Sequence, residues 1–364
     1  TMGVTPEHLS KVWRIDQATA QRTIDTTSQR CKRTETESLS RNYSTNDQML
    51  RYRRINTHFF MDTFFATKKS RKSSRGNTCM QLFVTDKGFV YVIPLKSKAD
   101  VWKAVKAFAK EAGAPDAITC DGAGKQVSDE VRSFCQKIGT ALRVLERNTP
   151  WANRAELYIG LIKEAVRKDM KESDTPLAFW DYCAERRARI NNLTSKNLFQ
   201  LDGRNPHFHV TGEEGDISNT CQFQWYEWVY YREGSAGFPL QREILGRSLG
   251  PATGEGNAMA QWILKANGNV VPRRSVQHLS KQETDSKTEK ERRSVFTDLI
   301  TTRWGTTITP AQVDDTKDFD VYEDDNEDPH LIPEFEDSVD ATGQAIDLQP
   351  AYNRLINAEL MMPQ

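Results

Sequence analysis

THFFMDTFFAT, residues 57–67, sets a single acid, Asp62, in the middle of an otherwise apolar strand. An ionised carboxylate in such a place is expensive unless something compensates it. Two further strands follow, NTCMQLFVTD (77–86) and GFVYVIPLK (88–96), with the basic hairpin loop KKSRKSSRGN (68–77) before the first of them. KADVWKAVKAFAKEAG (98–113) is an amphipathic helix with Val101, Trp102, Val105, Phe108 and Ala109 on one side. The short strand DAITC (116–120) runs into Asp121, and Gly122 lets the backbone turn. VSDEVRSFCQKIG (127–139) is a helix, ALRVLE (141–146) a strand, and NTPWANRAELYIGLIKEAVRK (148–168) begins as a loop and ends as a helix. Three strands, helix, strand, helix, strand, long helix is the RNase H-like order. It predicts an α/β core with a mixed five-stranded sheet and helices on both faces.

Outward from this core, residues 5–28 read as two short helices. Thr5 caps the first with Pro6 at its first position, and Asp16 caps the second. The break at Ile15-Asp16 makes the pair helix-turn-helix-like. It fits either DNA contact through QRTIDTTSQR (21–30) or an ordinary helical hairpin. Residues 29–56 read as a linker. PLAFWDYCAERRARINN (176–192) is a further helix and residues 203–218 a connector. Between 221 and 280, short aromatic or β-branched runs separated by Gly, Pro and Asn predict a small β-barrel. Residues 281–294 read as a charged linker. The acidic stretch 313–338 reads as disordered. The expected division is 1–50, 51–215, 216–280 and 281–364.

The formal net charge of zero hides an asymmetry. From Phe296 onward there are 3 Lys+Arg and 16 Asp+Glu, leaving 47 and 34 in residues 1–295. A basic body of net +13 suggests a polyanionic partner. The six cysteines include no CxxC pair, so neither a disulfide framework nor a cysteine zinc knuckle is indicated, and a reducing intracellular compartment is expected. No apolar run approaches the roughly 18 residues of a membrane span, and no signal peptide is expected.

Glu156 opens the long helix, with Lys163 and Arg167 at i+7 and i+11 close to one face. An acid at a helix start complements the dipole, and alone it would need no further role. In this strand order, however, Asp62, Asp121 and Glu156 meet at one sheet end. Like charges about 4 Å apart repel by about 4 kcal/mol per pair at an effective dielectric near 20. Protonation or bound cations relieve that. Oxygen-only donors select Mg²⁺ or Mn²⁺ rather than zinc, and two such ions serve phosphodiester chemistry.

These three acids, with 58 and 34 residues between them, and the segments GAPDAITCDGAGKQ (113–126), ERNTPWANRAELYIGLIKEAVRK (146–168) and GRNPHFHVTGEEGDIS (203–218), resemble the integrase region of copia-type LTR retrotransposon Pol polyproteins, within the D,D-35-E group. The final YNRLINAELMMPQ is similar to what precedes reverse transcriptase there. The resemblance implies 3′-end processing and strand transfer, with Asp62, Asp121 and Glu156 holding two Mg²⁺ or Mn²⁺ ions. It implies DNA contacts from Asn153, Lys163, Arg167, Lys68, Lys69 and Arg71, and from an SH3-like barrel through Arg242, Arg247, Arg273 and Arg274. It further implies double-stranded DNA, other copies of the chain and the reverse transcriptase region as partners. The nucleus during integration, and cytoplasmic particles before it, are the implied locations. The chain departs from the pattern in two places. Ala152 stands where family members often carry Gln. His8 and Cys31 lack partners at zinc-ligand spacing, so no zinc site is expected. Two rival readings are a catalytically inactive DNA-binding or polyprotein fragment and an RNase H-type nuclease. The late helical Glu disfavours the nuclease.

Overall fold

The computed structural model describes residues 3–31, 52–66, 72–122, 126–145, 154–232, 243–252 and 259–305. Residues 1–312 form one compact unit, and a second, 313–364, lies outside the described residues. So does the stretch expected to be disordered.

Helices α1 (Pro6–Trp13) and α2 (Gln17–Asp25) form the N-terminal hairpin, capped by the Thr5 and Asp16 side chains as the sequence predicts. Leu9, Val12, Trp13 and Ala20 pack against Ile190, Leu193, Ile217 and Cys221. On α2, Thr23 is buried and its hydroxyl accepts from the Ser195 backbone N–H, while the Thr26 and Thr27 hydroxyls donate to α2's own carbonyls. Thr23 is the one buried residue of the segment 21–30, and Gln21, Asp25, Gln29 and Arg30 are exposed, so both the helical-hairpin and the DNA-contact readings stand.

Strands β1 (Arg54–Phe65), β2 (Cys79–Thr85) and β3 (Val90–Leu95) form a meander in which β1–β2 and β2–β3 are antiparallel. Helix α3 (Val101–Glu111) then crosses over to β4 (Ala114–Cys120), and α4 (Asp129–Ile138) leads to β5 (Ala141–Val144). Both β1–β4 and β4–β5 are parallel, so the sheet is mixed in the order β3-β2-β1-β4-β5. This is the RNase H-like arrangement expected from the element order. Alternation along the strands feeds two cores. Phe59, Met61, Phe83 and Ile118 pack under α3 and α4 with Val105, Phe108, Val131 and Cys135. Phe64, Leu82, Val84 and Val92 pack under α5 (Arg154–Glu172) and α6 (Trp180–Leu193). One expectation for α3 fails: Trp102 is not on the buried face but exposed, with the Lys103 ammonium 5.7 Å from its ring centre.

Residues 203–218 are more than a connector, since Asn205 caps a short helix α7 (Pro206–Thr211). The expected barrel region is a five-stranded antiparallel sheet of β6 (Trp228–Arg232), β7 (Glu243–Pro251), β8 (Gln261–Leu264), β9 (Val270–Arg273) and β10 (Val276–His278), in the order β10-β6-β7-β8-β9. The charged stretch from residue 281 is helical rather than a linker. Ser280 forms a capping box with Glu283 at α8 (Lys281–Asp285), and α9 (Lys287–Trp304) follows. Its mean polarity hid two apolar anchors: Phe296 and Ile300, one turn apart, are buried among Met170, Phe179, Tyr226 and Leu264.

Candidate active site

Register places the first two acids. Met61 of β1 pairs with Cys120 of β4, so Asp62 and Asp121, the next residue on each, stand side by side at the same sheet end. Glu156 lies in the first turn of α5. The start of that helix is fixed against the β2–β3 turn: the Arg154 guanidinium donates to the Asp86 carbonyl at 2.9 Å, and Tyr158 lies over Gly88. Gly88 has φ +76°, and a Cβ there would collide with the Tyr158 hydroxyl, so the close approach needs a glycine.

The three acids feel one another. Burial first, then the charge of Asp121 and to a lesser degree that of Glu156, push the Asp62 carboxyl up to about 6. Burial and Asp121 also raise Glu156. Two donors oppose the shift at Asp62: the Thr63 backbone N–H at 2.6 Å and the Gln126 side-chain amide at 2.8 Å, both to Oδ1. The half-buried Lys163 ammonium responds to Asp62, although burial, and next Arg167, pull it down. Among the described residues, no three His, Cys, Asp or Glu side chains are grouped to hold one ion. Asp62, Asp121 and Glu156 are nonetheless all oxygen donors, and burial first, with the charge of Asp121 next, raises Asp62 and Glu156. A divalent cation fits that chemistry, because added positive charge is what such a group lacks.

The residues expected to meet DNA fall into three groups. Lys163 sits over the Phe64 ring at 5.6 Å, between the acids and the exposed Arg167, which pairs with Glu164 at 3.7 Å. These two do share the α5 face that Glu156 heads. Arg247 is a correction. Its guanidinium is sandwiched between Trp228 (3.5 Å) and Tyr226 (4.3 Å) and donates to the Tyr226 carbonyl at 2.7 Å, so it braces the second sheet instead of facing solvent phosphates. Burial pulls it down to about 10. Arg273 and Arg274 lie at the end of β9 and just beyond it, half-buried, with Arg273 donating to the Pro272 carbonyl. Lys68, Lys69, Arg71, Asn153 and Arg242 lie outside the described residues. The root of the 68–77 loop is firmly held: Arg75 bonds Asp181 (2.8 Å) and Glu185 (3.0 Å) and stacks on Tyr182, and Asn77 also donates to Asp181.

Sequence reasoning missed Gln126. In the loop after Asp121 it reads as one more polar residue between Lys125 and Val127, and only the fold turns it toward Asp62.

No protein-family model matches the chain, and no curated protein matches it. Solved structures do. An intasome of simian T-cell lymphotropic virus in complex with PP2A regulatory subunit B56 gamma is similar over 62% of this chain and 82% of that one, at 15% identity and a TM-score of 0.34. The HTLV-2 integrase catalytic core domain with magnesium, in a trimeric form, matches over 42% and 94% at 18% identity and TM-score 0.33. Its dimeric form matches over 38% and 87% at 19% identity and TM-score 0.30.

Proposed function

We propose that this chain is a copia-type retrotransposon integrase that trims the 3′ ends of element cDNA and joins them to target DNA. The observation that supports the reading is the β1–β4 register, which sets Asp62 next to Asp121 where β4 ends, with Glu156 in the first turn of α5; burial first and then the charge of Asp121 raise both Asp62 and Glu156. In this reading the three carboxylates hold Mg²⁺ or Mn²⁺. Two such ions, when bound, supply the positive charge that activates the attacking hydroxyl and stabilises the leaving oxygen. The chain's own part is positional. Asp62 and Asp121 are fixed by strand register, and Glu156 by the docked start of α5. Lys163 and Arg167 extend the same helix face and attract the phosphates of a DNA end laid across it.

In the first step a water oxygen attacks a phosphodiester near the cDNA terminus and a free 3′-hydroxyl leaves. In the second that 3′-hydroxyl attacks a target phosphodiester, and a target 3′-hydroxyl leaves. The partners in this reading are double-stranded DNA, further copies of the chain and the reverse transcriptase region of the same polyprotein, with integration in the nucleus after assembly in cytoplasmic particles. No described helix is long and apolar enough to cross a membrane.

The test is joining of a labelled duplex by the full chain, in Mn²⁺ or EDTA, beside Glu156→Gln. Metal-dependent joining that disappears in the variant, with DNA binding in EDTA retained, is expected. Joining that survives Glu156→Gln overturns the assignment of the acid. Salt-sensitive binding with no joining by the wild-type chain overturns the enzyme in favour of a DNA-binding protein.

A further inference from the structure

We propose that Gln126 is a positioning residue, holding Asp62 so that a divalent cation meets it through Oδ2 alone. The inference rests on the carboxylate reading above. Gln126 is only 1% exposed. Burying an amide is costly unless its hydrogen bonds are replaced. Its Nε2 donates to Asp62 Oδ1 at 2.8 Å, while Oε1 is buried without a partner among the described residues. For packing alone, Leu or Met would fill the space without stranding an acceptor. What the amide gains there is the bond to Asp62.

That bond has two consequences. Oδ1 already accepts from the Thr63 N–H at 2.6 Å, so with Gln126 both of its lone pairs are engaged. Oδ2 meets no donor among the described residues, and it is the oxygen left for a cation. Gln126 also belongs to the loop that carries Asp121 from β4 to α4. One side chain therefore ties the segment bearing the second acid to the strand bearing the first, and fixes their relative placement before any ion arrives. Asp62 also faces Glu156 and Lys163, which shape its field but do not orient it. Losing the outer partner of a metal ligand typically costs 10–100-fold in affinity or activity.

The experiment measures Mn²⁺ binding to the full chain by calorimetry without DNA, for wild type, Gln126→Leu, Gln126→Met and Asp62→Asn. It also records melting in EDTA and the kcat and KM of joining. Both Gln126 variants are expected to bind Mn²⁺ about 10–100-fold more weakly. They should lose kcat with KM for DNA unchanged and melt no lower than wild type. Met, with its adaptable side chain, carries the test if Leu disturbs folding. Mn²⁺ affinity equal to wild type in a folded Gln126 variant overturns this inference and leaves the carboxylate site standing. Absence of Mn²⁺ binding by wild type, or binding undiminished in Asp62→Asn, overturns both.

Discussion

At Asp62 two demands conflict. The strand around it is apolar and buried, yet the side chain is an acid beside two other acids. Unfolded, its carboxyl ionises near 3.8; folded, at about 6. Below pH 4 both states hold the proton and stability is unaffected. Between about 4 and 6 only the folded state holds it, so stability falls as pH rises through that window and stays lowered above it. Two units at about 1.4 kcal/mol each make the loss about 3 kcal/mol. Asp62→Asn should therefore be more stable than wild type by about 1–3 kcal/mol at pH 7.5 in EDTA, with the gap closing toward pH 4. Urea denaturation at the two pH values measures this. An Asn variant no more stable than wild type at pH 7.5 would mean that the carboxyl is not strained. Mg²⁺ should then stabilise wild type and not the variant, because only the acid offers a binding energy that the unfolded chain lacks.

Elements are joined here by charge as well as by apolar faces. Asp169 of α5 is fully buried, yet it bonds Arg14, Arg186 and Arg187. The two α6 arginines pass on to the last carbonyls of α1: Arg186 donates to Val12 and Arg187 to Trp13, each at 2.8 Å. A single carboxylate thus organises the guanidiniums that cap the first helix and fasten the N-terminal hairpin to the core. The apolar cluster around Leu9 and Trp13 supplies the rest, and the exposed His8 is engaged with the Cys221 carbonyl at 3.0 Å. Removing one partner of a buried ionic group leaves the others uncompensated and costs about 3–5 kcal/mol. Asp169→Ala should destabilise the chain by that order in a denaturant melt, whereas an exposed pair such as Arg167–Glu164 should cost under about 1 kcal/mol when broken. Equal costs for the two would show that the buried cluster carries no special weight.

On the scale of the whole molecule, α9 packs across the seam where α6 also meets β7 of the second sheet directly. The Phe296 ring meets Trp228 edge-on at 5.1 Å, Ile300 is buried beside it, and the Trp304 indole donates to the Gly268 carbonyl. A chain ending at Ser280 would lose both anchors, at about 1.5–3 kcal/mol each. It should melt well below one ending at Gly305, a comparison that thermal denaturation makes directly; equal melting would show that α9 is dispensable. The sequence by itself determined the mixed sheet and its helices, because local pattern and strand order are written in consecutive residues: the apolar run around Asp62, the amphipathic α3, the caps Thr5 and Asp16. It also singled out Asp62 and Asp121, since an acid in an apolar strand or at a strand end is conspicuous locally; Glu156, an ordinary helix-start acid by itself, stood out only through the strand order. Only the tertiary structure decided the rest. Gln126 reaching Asp62 spans 64 positions, Asp169 reaching Arg187 spans 18, and Trp228, stacked on Arg247 and edge-on to Phe296, joins three separate segments. Such contacts follow from how surfaces meet after the chain has folded. A polar loop residue, a charged helix or a basic strand residue looks the same in sequence whether it ends in solvent or in a core.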